Sequence, residues 1–140
     1  MAQTGKGNDK RRAPNEYAVI GLGGFGGTLA RRLEAMGHTV LGIDLHMSRV
    51  QAIADEITSA VALDATIEDA LEEVDIAAFD TVIVALGHAF EASALVTVYL
   101  KSVGIRRVIC AAATLRHQEV LRRIGADEVI VPDMDSGLRL

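Results

Sequence analysis

The chain has one cysteine, two prolines, no tryptophan, and only two tyrosines and three phenylalanines among its 140 residues. With Cys110 alone no internal disulfide can form, which excludes a disulfide-stapled scaffold and suits a reducing compartment. Cys110 itself reads as a buried strand residue, the common fate of a free thiol. Long apolar runs are missing too. None approaches the roughly 18 residues of a spanning helix, and the longest candidate, residues 90–100, is interrupted by Glu91 and followed by Lys101. The first sixteen residues carry basic side chains but no apolar segment of the kind a secretory signal needs. Residues 1–14 read as a disordered leader and residues 15–140 as one domain. The net charge is −5, and no basic stripe with interleaved aromatics is present, so nucleic acid is not an expected partner.

Half of the residues are apolar, enough for a substantial single core. They fall in short strand-like runs that alternate with helical patterns. Strands are expected at 17–22, 39–44, 60–63, 81–86, 107–111 and 128–131. Helices are expected at 25–36, 48–56 (Ser48 as N-cap), 67–74, 90–103 and 115–124. Thr66 with Asp69 resembles a capping box for the third helix. The 90–103 helix is apolar over most of its circumference and is expected to be buried on more than one side, by the domain or by a partner subunit. Alternation of this kind predicts an α/β fold: a Rossmann-like, doubly wound parallel six-stranded sheet of order 3-2-1-4-5-6, with helices on both faces.

The most informative stretch is 17–44. A strand leads into Gly21-Leu22-Gly23-Gly24-Phe25-Gly26, which fits G-x-G-x-x-G. A helix and a second strand follow, the latter closing on Asp44, 23 residues after Gly21. Gly21 permits the tight turn, Gly23 leaves room for a pyrophosphate, and Gly26 lets helix and strand pack closely. The N–H groups at the helix start face the phosphates. Asp44 can accept hydrogen bonds from ribose hydroxyls. The remaining loops at the expected switch point carry Leu45, then Asp64, Ala65 and Thr66, then Ala85, Leu86 and Gly87. Together with Gly21, Leu22, Gly23, Gly24, Phe25, Gly26 and Asp44 they are the candidate cofactor-binding residues. His46 and His88 fall near the same crevice, each balanced between a surface role and a ligand contact. His38 reads as a connector and His117 as a residue of an exposed helix face.

Catalytic and metal sites are not expected. Tyr99 and Lys101 lack the Tyr-x-x-x-Lys spacing, neither G-x-S-x-G nor G-x-x-x-x-G-K-[ST] occurs, and no histidine pairs with another or with Cys110 at ligand spacing. The acidic segment Glu68, Asp69, Glu72 and Glu73 reads as a solvated helix face.

The runs GLGGFGGTLARRLEAMGHTVLGID, LDAT, TVIVALG and LRRIGADEVIVPDMDSG resemble the RCK/KTN (TrkA-N) domains of potassium channels and transporters, most closely the TrkA/KtrA-type cytosolic regulatory subunits. The resemblance covers residues 15–140. It implies a ligand sensor that binds NAD(H), or ADP/ATP in the same site. It implies a homodimer or larger ring, cytoplasmic and peripheral to the inner face of the cell membrane, that gates potassium transport through a membrane-embedded channel or transporter subunit. Gly21, Gly23, Gly24 and Gly26 would meet the phosphates, Asp44 a ribose, and Asp64, Ala65 and Thr66 the adenine. Three departures stand out. Gly24 replaces a turn arginine that meets the γ-phosphate, which favours NAD(H) or ADP over ATP. Ala111, Ala112 and Ala113 stand where a Lys or Arg is common. Asp133 replaces a metal-binding Glu with a shorter acid. The family's C-terminal lobe is expected to follow from about residues 137–140. The alternative reading is the coenzyme-binding domain of an NAD-dependent oxidoreductase.

Overall fold

Alternate residues of a strand point to opposite faces of its sheet, and in the computed structural model, which describes residues 15–132, this parity separates two cores. Ala18, Ile20, Ile43, Val82, Val84, Val108 and Cys110 face one side. Val19, Val40, Ile83 and Ile109 face the other. The strands are β1 (Glu16–Ile20), β2 (Thr39–Asp44), β3 (Ser59–Ala62), β4 (Thr81–Val84), β5 (Arg107–Ala111) and β6 (Glu128–Ile130). All pair in parallel, in the order β3-β2-β1-β4-β5-β6. The expected doubly wound sheet is therefore present.

The helices are α1 (Gly24–Ala35), α2 (Met47–Ile53), α3 (Glu68–Glu73), α4 (Phe90–Ser102) and α5 (Leu115–Arg123), with a 3₁₀ turn at Ile76–Ala78. Ala30 and Leu33 of α1 and Val50 and Ile53 of α2 cover the Val19 side. Leu71 of α3, Val96 and Leu100 of α4 and Leu121 of α5 cover the other. Each strand with its crossover helix thus buries apolar surface on both sheet faces, which is why the strands read as continuous β-branched runs rather than alternating ones.

Three expectations fail locally. Ser48 does not cap α2: the N-cap is His46, without a side-chain cap bond, and Ser48 lies within the first turn. Thr66 does not form a capping box with Asp69, since α3 starts at Glu68 behind Ile67 and Thr66 is held instead by Asp64. His117 is not on an open face. It is half-buried and stacks on Phe90, with ring centroids 4.2 Å apart. Helix α4, expected to be covered on more than one side by the domain or by a partner subunit, is covered by this chain along one stripe. Its inward stripe is Ser93, Val96, Thr97 and Leu100, whereas Leu95 and Val98 stay about half exposed, at 53% and 52%. Of the polar members of the stripe, Thr97 sits 3.1 Å from the Cys110 sulfur, whereas the buried Ser93 hydroxyl has no hydrogen-bond partner among the described residues. Burial pushes the Cys110 thiol pKa up, consistent with its expected place in a buried strand. The leader, Asp133 and residues 137–140 lie outside the described residues.

The C-terminal half is tied together by Lys101. Its Nζ donates to the Ile105 carbonyl at 2.9 Å and to Asp127 Oδ2 at 2.8 Å, while that carboxylate also accepts from Val108 N–H at 2.8 Å. Partial burial pulls the Asp127 pKa upward, but the Lys101 and Val108 bonds and the Lys101 and Arg107 charges outweigh it and hold the carboxyl below its ordinary 3.8. A pKa lowered by folding stabilises the native state fully above the unfolded value and less as the pH falls through the folded value. Asp127→Asn is therefore expected to destabilise the domain at neutral pH. In urea titrations, its deficit against the unaltered chain should shrink as the pH drops below 3.8.

Candidate functional site

In a sheet of this order the loops after β1 and β4 diverge to opposite faces and leave a crevice at the strands' C-terminal ends. A cavity of about 460 Å³ lies there. The glycine turn forms its floor. Gly21 has φ +103°, and a Cβ on it would lie 2.2 Å from the Ala85 carbonyl oxygen. A Cβ on Gly26 would lie 1.8 Å from the Gly21 carbonyl oxygen. These two glycines are demanded by the fold: they let the start of α1, the turn and the end of β4 come into backbone contact. Gly23 and Gly24 are not. Gly23 has φ −74°, open to any residue, and its Cβ would meet only the Arg49 guanidinium, at 3.7–3.8 Å. A Cβ on Gly24 would meet nothing within 4 Å. The missing side chains at these positions leave open space in the cavity rather than room for packing. Gly23 is the N-cap of the twelve-residue α1, so no side chain caps the first-turn N–H groups, and that turn holds no acid. An uncapped helix start offers hydrogen-bond donors and the positive end of the helix dipole. This arrangement fits the phosphates of a nucleotide.

Asp44 ends β2 and lines the same cavity. Its side chain is only 4% exposed. Oδ2 accepts from Leu22 N–H at 2.7 Å and Oδ1 from His46 N–H at 2.8 Å. The carboxylate therefore clamps the glycine turn to the loop that follows its own strand. Each oxygen keeps a second lone pair, so a hydroxyl donor can still be accepted. Asp64, beyond β3, accepts from both the amide and the hydroxyl of Thr66, at 3.0 and 2.6 Å, and the hydroxyl bond foremost lowers its pKa.

The structure brings Gly21, Gly23, Gly24, Phe25, Gly26, Asp44, Leu45, Asp64, Ala65, Thr66, Ala85, Leu86 and Gly87 around this one cavity. Leu22 is the exception. Its side chain is buried in the α1–α2 core, and it reaches the site only through the N–H given to Asp44. His46 and His88 line the cavity. Arg49 also lines it and was not anticipated. It sits in the first turn of α2, and the signal available was a cation five residues beyond the strand-ending acid. Among the described residues no group of three His, Cys, Asp or Glu side chains could hold a metal ion, and no helix is long and apolar enough to cross a membrane.

A Rossmann-like domain with a glycine-turn cavity is the class that fold and site define. The TrkA-N domain model matches residues 17–132, and the chain belongs to that family. It is 42% identical over 125 residues to the Ktr system potassium uptake protein A of Bacillus subtilis, an alignment covering 89% of this chain and 56% of that protein. The chain thus spans a little over half the length of the curated relatives it matches. Among solved structures, the NAD(P)-binding domain of an exopolyphosphatase-related protein from Archaeoglobus fulgidus superposes with a TM-score of 0.73 at 28% identity, covering 84% of this chain and 87% of that one. The GsuK channel bound to NAD superposes with a TM-score of 0.73 at 21% identity, over 86% of this chain and 22% of that one, a likeness of fold.

Two variants separate the roles of these glycines. Gly26→Ala should cost more than about 3 kcal/mol, beyond the usual over-packing range, because backbone cannot yield to the new methyl. Gly24→Ala should leave stability unchanged or raise it by up to about 1 kcal/mol. Asp44→Ala should lose about 1–3 kcal/mol by orphaning the Leu22 N–H, whereas Asp44→Asn, which keeps one acceptor oxygen, should recover part of it. Chemical denaturation of the four variants checks all of this. Equal stability of the two glycine variants would contradict the close approach at Gly26.

Proposed function

We propose that this domain is a regulatory sensor that binds an adenine nucleotide, NAD(H) or ADP/ATP in the same site, and biases potassium movement through a membrane-embedded channel or transporter subunit. The observation that carries the binding half is the pair Gly23 and Gly24. Their missing side chains serve no packing need and keep a helix start open beside a ribose-ready carboxylate. In this reading the turn holds the pyrophosphate, Asp44 a ribose, and Asp64, Ala65 and Thr66 the adenine edge. The regulatory half rests on relatedness: the Bacillus subtilis relative is a potassium uptake protein, and a channel of the same fold has been solved bound to NAD. The domain works as a homodimer or larger ring at the cytoplasmic face of the membrane. A nucleotide moves such a gate only by its differential affinity for two assembly shapes.

The oxidoreductase alternative needs an acid or base free to exchange protons with a substrate. The two carboxylates that line the cavity, Asp44 and Asp64, are both held as hydrogen-bond acceptors by neighbouring groups. His46 and His88 also line the cavity, so relatedness to potassium uptake proteins, and not the side chains, favours the sensor.

Calorimetric titration of the chain with NADH, NAD, ADP and ATP tests the reading. Micromolar binding of at least one is expected, with ATP weaker than ADP because Gly24 offers no cation to a γ-phosphate. Gly23→Val should fold, since its backbone is unstrained, yet bind none of them. A folded Gly23→Val protein with undiminished affinity would remove the glycine turn from the site.

A further inference from the structure

Among the described residues Arg31, Lys101, Arg106, Arg107 and Arg123 each hold a carboxylate at 2.6–2.8 Å. Arg32, Arg49, Arg116 and Arg122 hold none that close, and of these four Arg49 alone lies at the cavity. It is the only Lys or Arg among the described residues that line the cavity. Its guanidinium is half exposed and approaches Asp44 Oδ2 only to 3.7 Å, beyond hydrogen-bonding range. Asp44 has little need of it, since both its oxygens already accept backbone N–H groups at 2.7 and 2.8 Å.

Its position is informative. The point where a Cβ on Gly23 would stand lies 3.7 Å from Arg49 Nη1 and 3.8 Å from Cζ. In a G-x-G-x-x-G turn the second glycine is the one whose bare backbone lets a pyrophosphate approach. A phosphate taking that space would come within direct reach of the guanidinium. The turn itself supplies only backbone N–H groups, and the other charged groups at the cavity, Asp44 and Asp64, are acids. A diphosphate brought there without a counter-charge would face them at close quarters. An arginine offers five donors in a planar fork suited to phosphate oxygens.

We propose that Arg49 is the phosphate-binding cation of this site, closing over the α/β-diphosphate from α2. This deepens, and rests on, the nucleotide-binding reading above. Arg49 then makes the site select for phosphate content: the diphosphate of ADP or NAD(H) is strongly favoured over the same nucleoside without phosphates. The guanidinium is anchored on the ribose side, near Asp44, so it serves the phosphates beside Gly23 and not a γ-phosphate beyond them.

The test is titration of the full chain and of its Arg49→Gln and Arg49→Lys variants with ADP, AMP and adenosine, adenosine being followed by competition against labelled ADP. Arg49→Gln should weaken ADP about 10- to 100-fold, the range of a charge-assisted hydrogen bond, and AMP less. Adenosine should be unmoved, and Arg49→Lys should restore part of the ADP affinity. The salt dependence of ADP binding should also flatten in Arg49→Gln. Equal weakening of ADP and adenosine would mean that Arg49 only supports Asp44, and unchanged ADP affinity would take it out of the site; either overturns the inference while nucleotide binding stands. If the unaltered chain binds neither these three nor NADH, the nucleotide reading itself falls, and this one with it.

Discussion

A single buried carboxylate, Asp44, joins the parts of the molecule that matter most. Its two oxygens take the N–H of Leu22, inside the glycine turn, and the N–H of His46, in the next strand–helix loop. Neither amide is satisfied by strand or helix pairing, and a buried N–H without an acceptor is costly. The acid thus fixes the spacing between the end of β1 and the start of α2, the spacing that sets the width of the cavity. A residue that lines the cavity is at the same time a structural brace. That dual use explains its near-complete burial at the rim of a solvent-accessible cavity.

The glycine turn divides in the same way between fold and ligand. Gly21 and Gly26 are required because backbone touches backbone where β1, α1 and the end of β4 converge. Gly23 and Gly24 answer to nothing in the chain. The difference matters, because glycine-rich turns can persist for packing reasons alone. Two glycines facing open space, with an uncapped helix start behind them and an arginine across the gap, are hard to account for by packing. They border a cavity whose lining also holds Arg49 and the acids Asp44 and Asp64.

Much of the architecture was legible beforehand. Six parallel strands and their order follow from the β-branched runs, the spacing of helical stretches and the handedness of crossovers, and the structure agrees. Local details were harder to read. Thr66 and Asp69 have capping-box spacing, but Asp64 is two residues from Thr66 and offers its amide and hydroxyl a nearer acceptor, so the short-range bond wins. Ser48 is a good capping residue, yet α2 begins one residue earlier because the loop is set by the bond from His46 N–H to Asp44. The apolar α4 suggested burial on several sides. Within the chain it buries one stripe, two of whose members are Ser93 and Thr97, and leaves Leu95 and Val98 in the open. Apolar periodicity counts hydrophobic residues but does not say which face the neighbouring strands cover.

The sequence by itself determined the fold class, the place of the switch point and most of the residues that line the cavity. It could do so because strand period, glycine spacing and a strand-ending acid are local patterns with one topological solution. Only the tertiary structure decided what each of those residues does there. Leu22 turns inward to the core and lends only an amide, Asp44 braces two loops, and Gly23 is bare where packing does not require it. Arg49 faces the turn from a helix 26 residues further along the chain. These are contacts between segments remote in sequence, settled by how close the backbones approach and by which carboxylates are already satisfied, and no spacing rule along the chain encodes either.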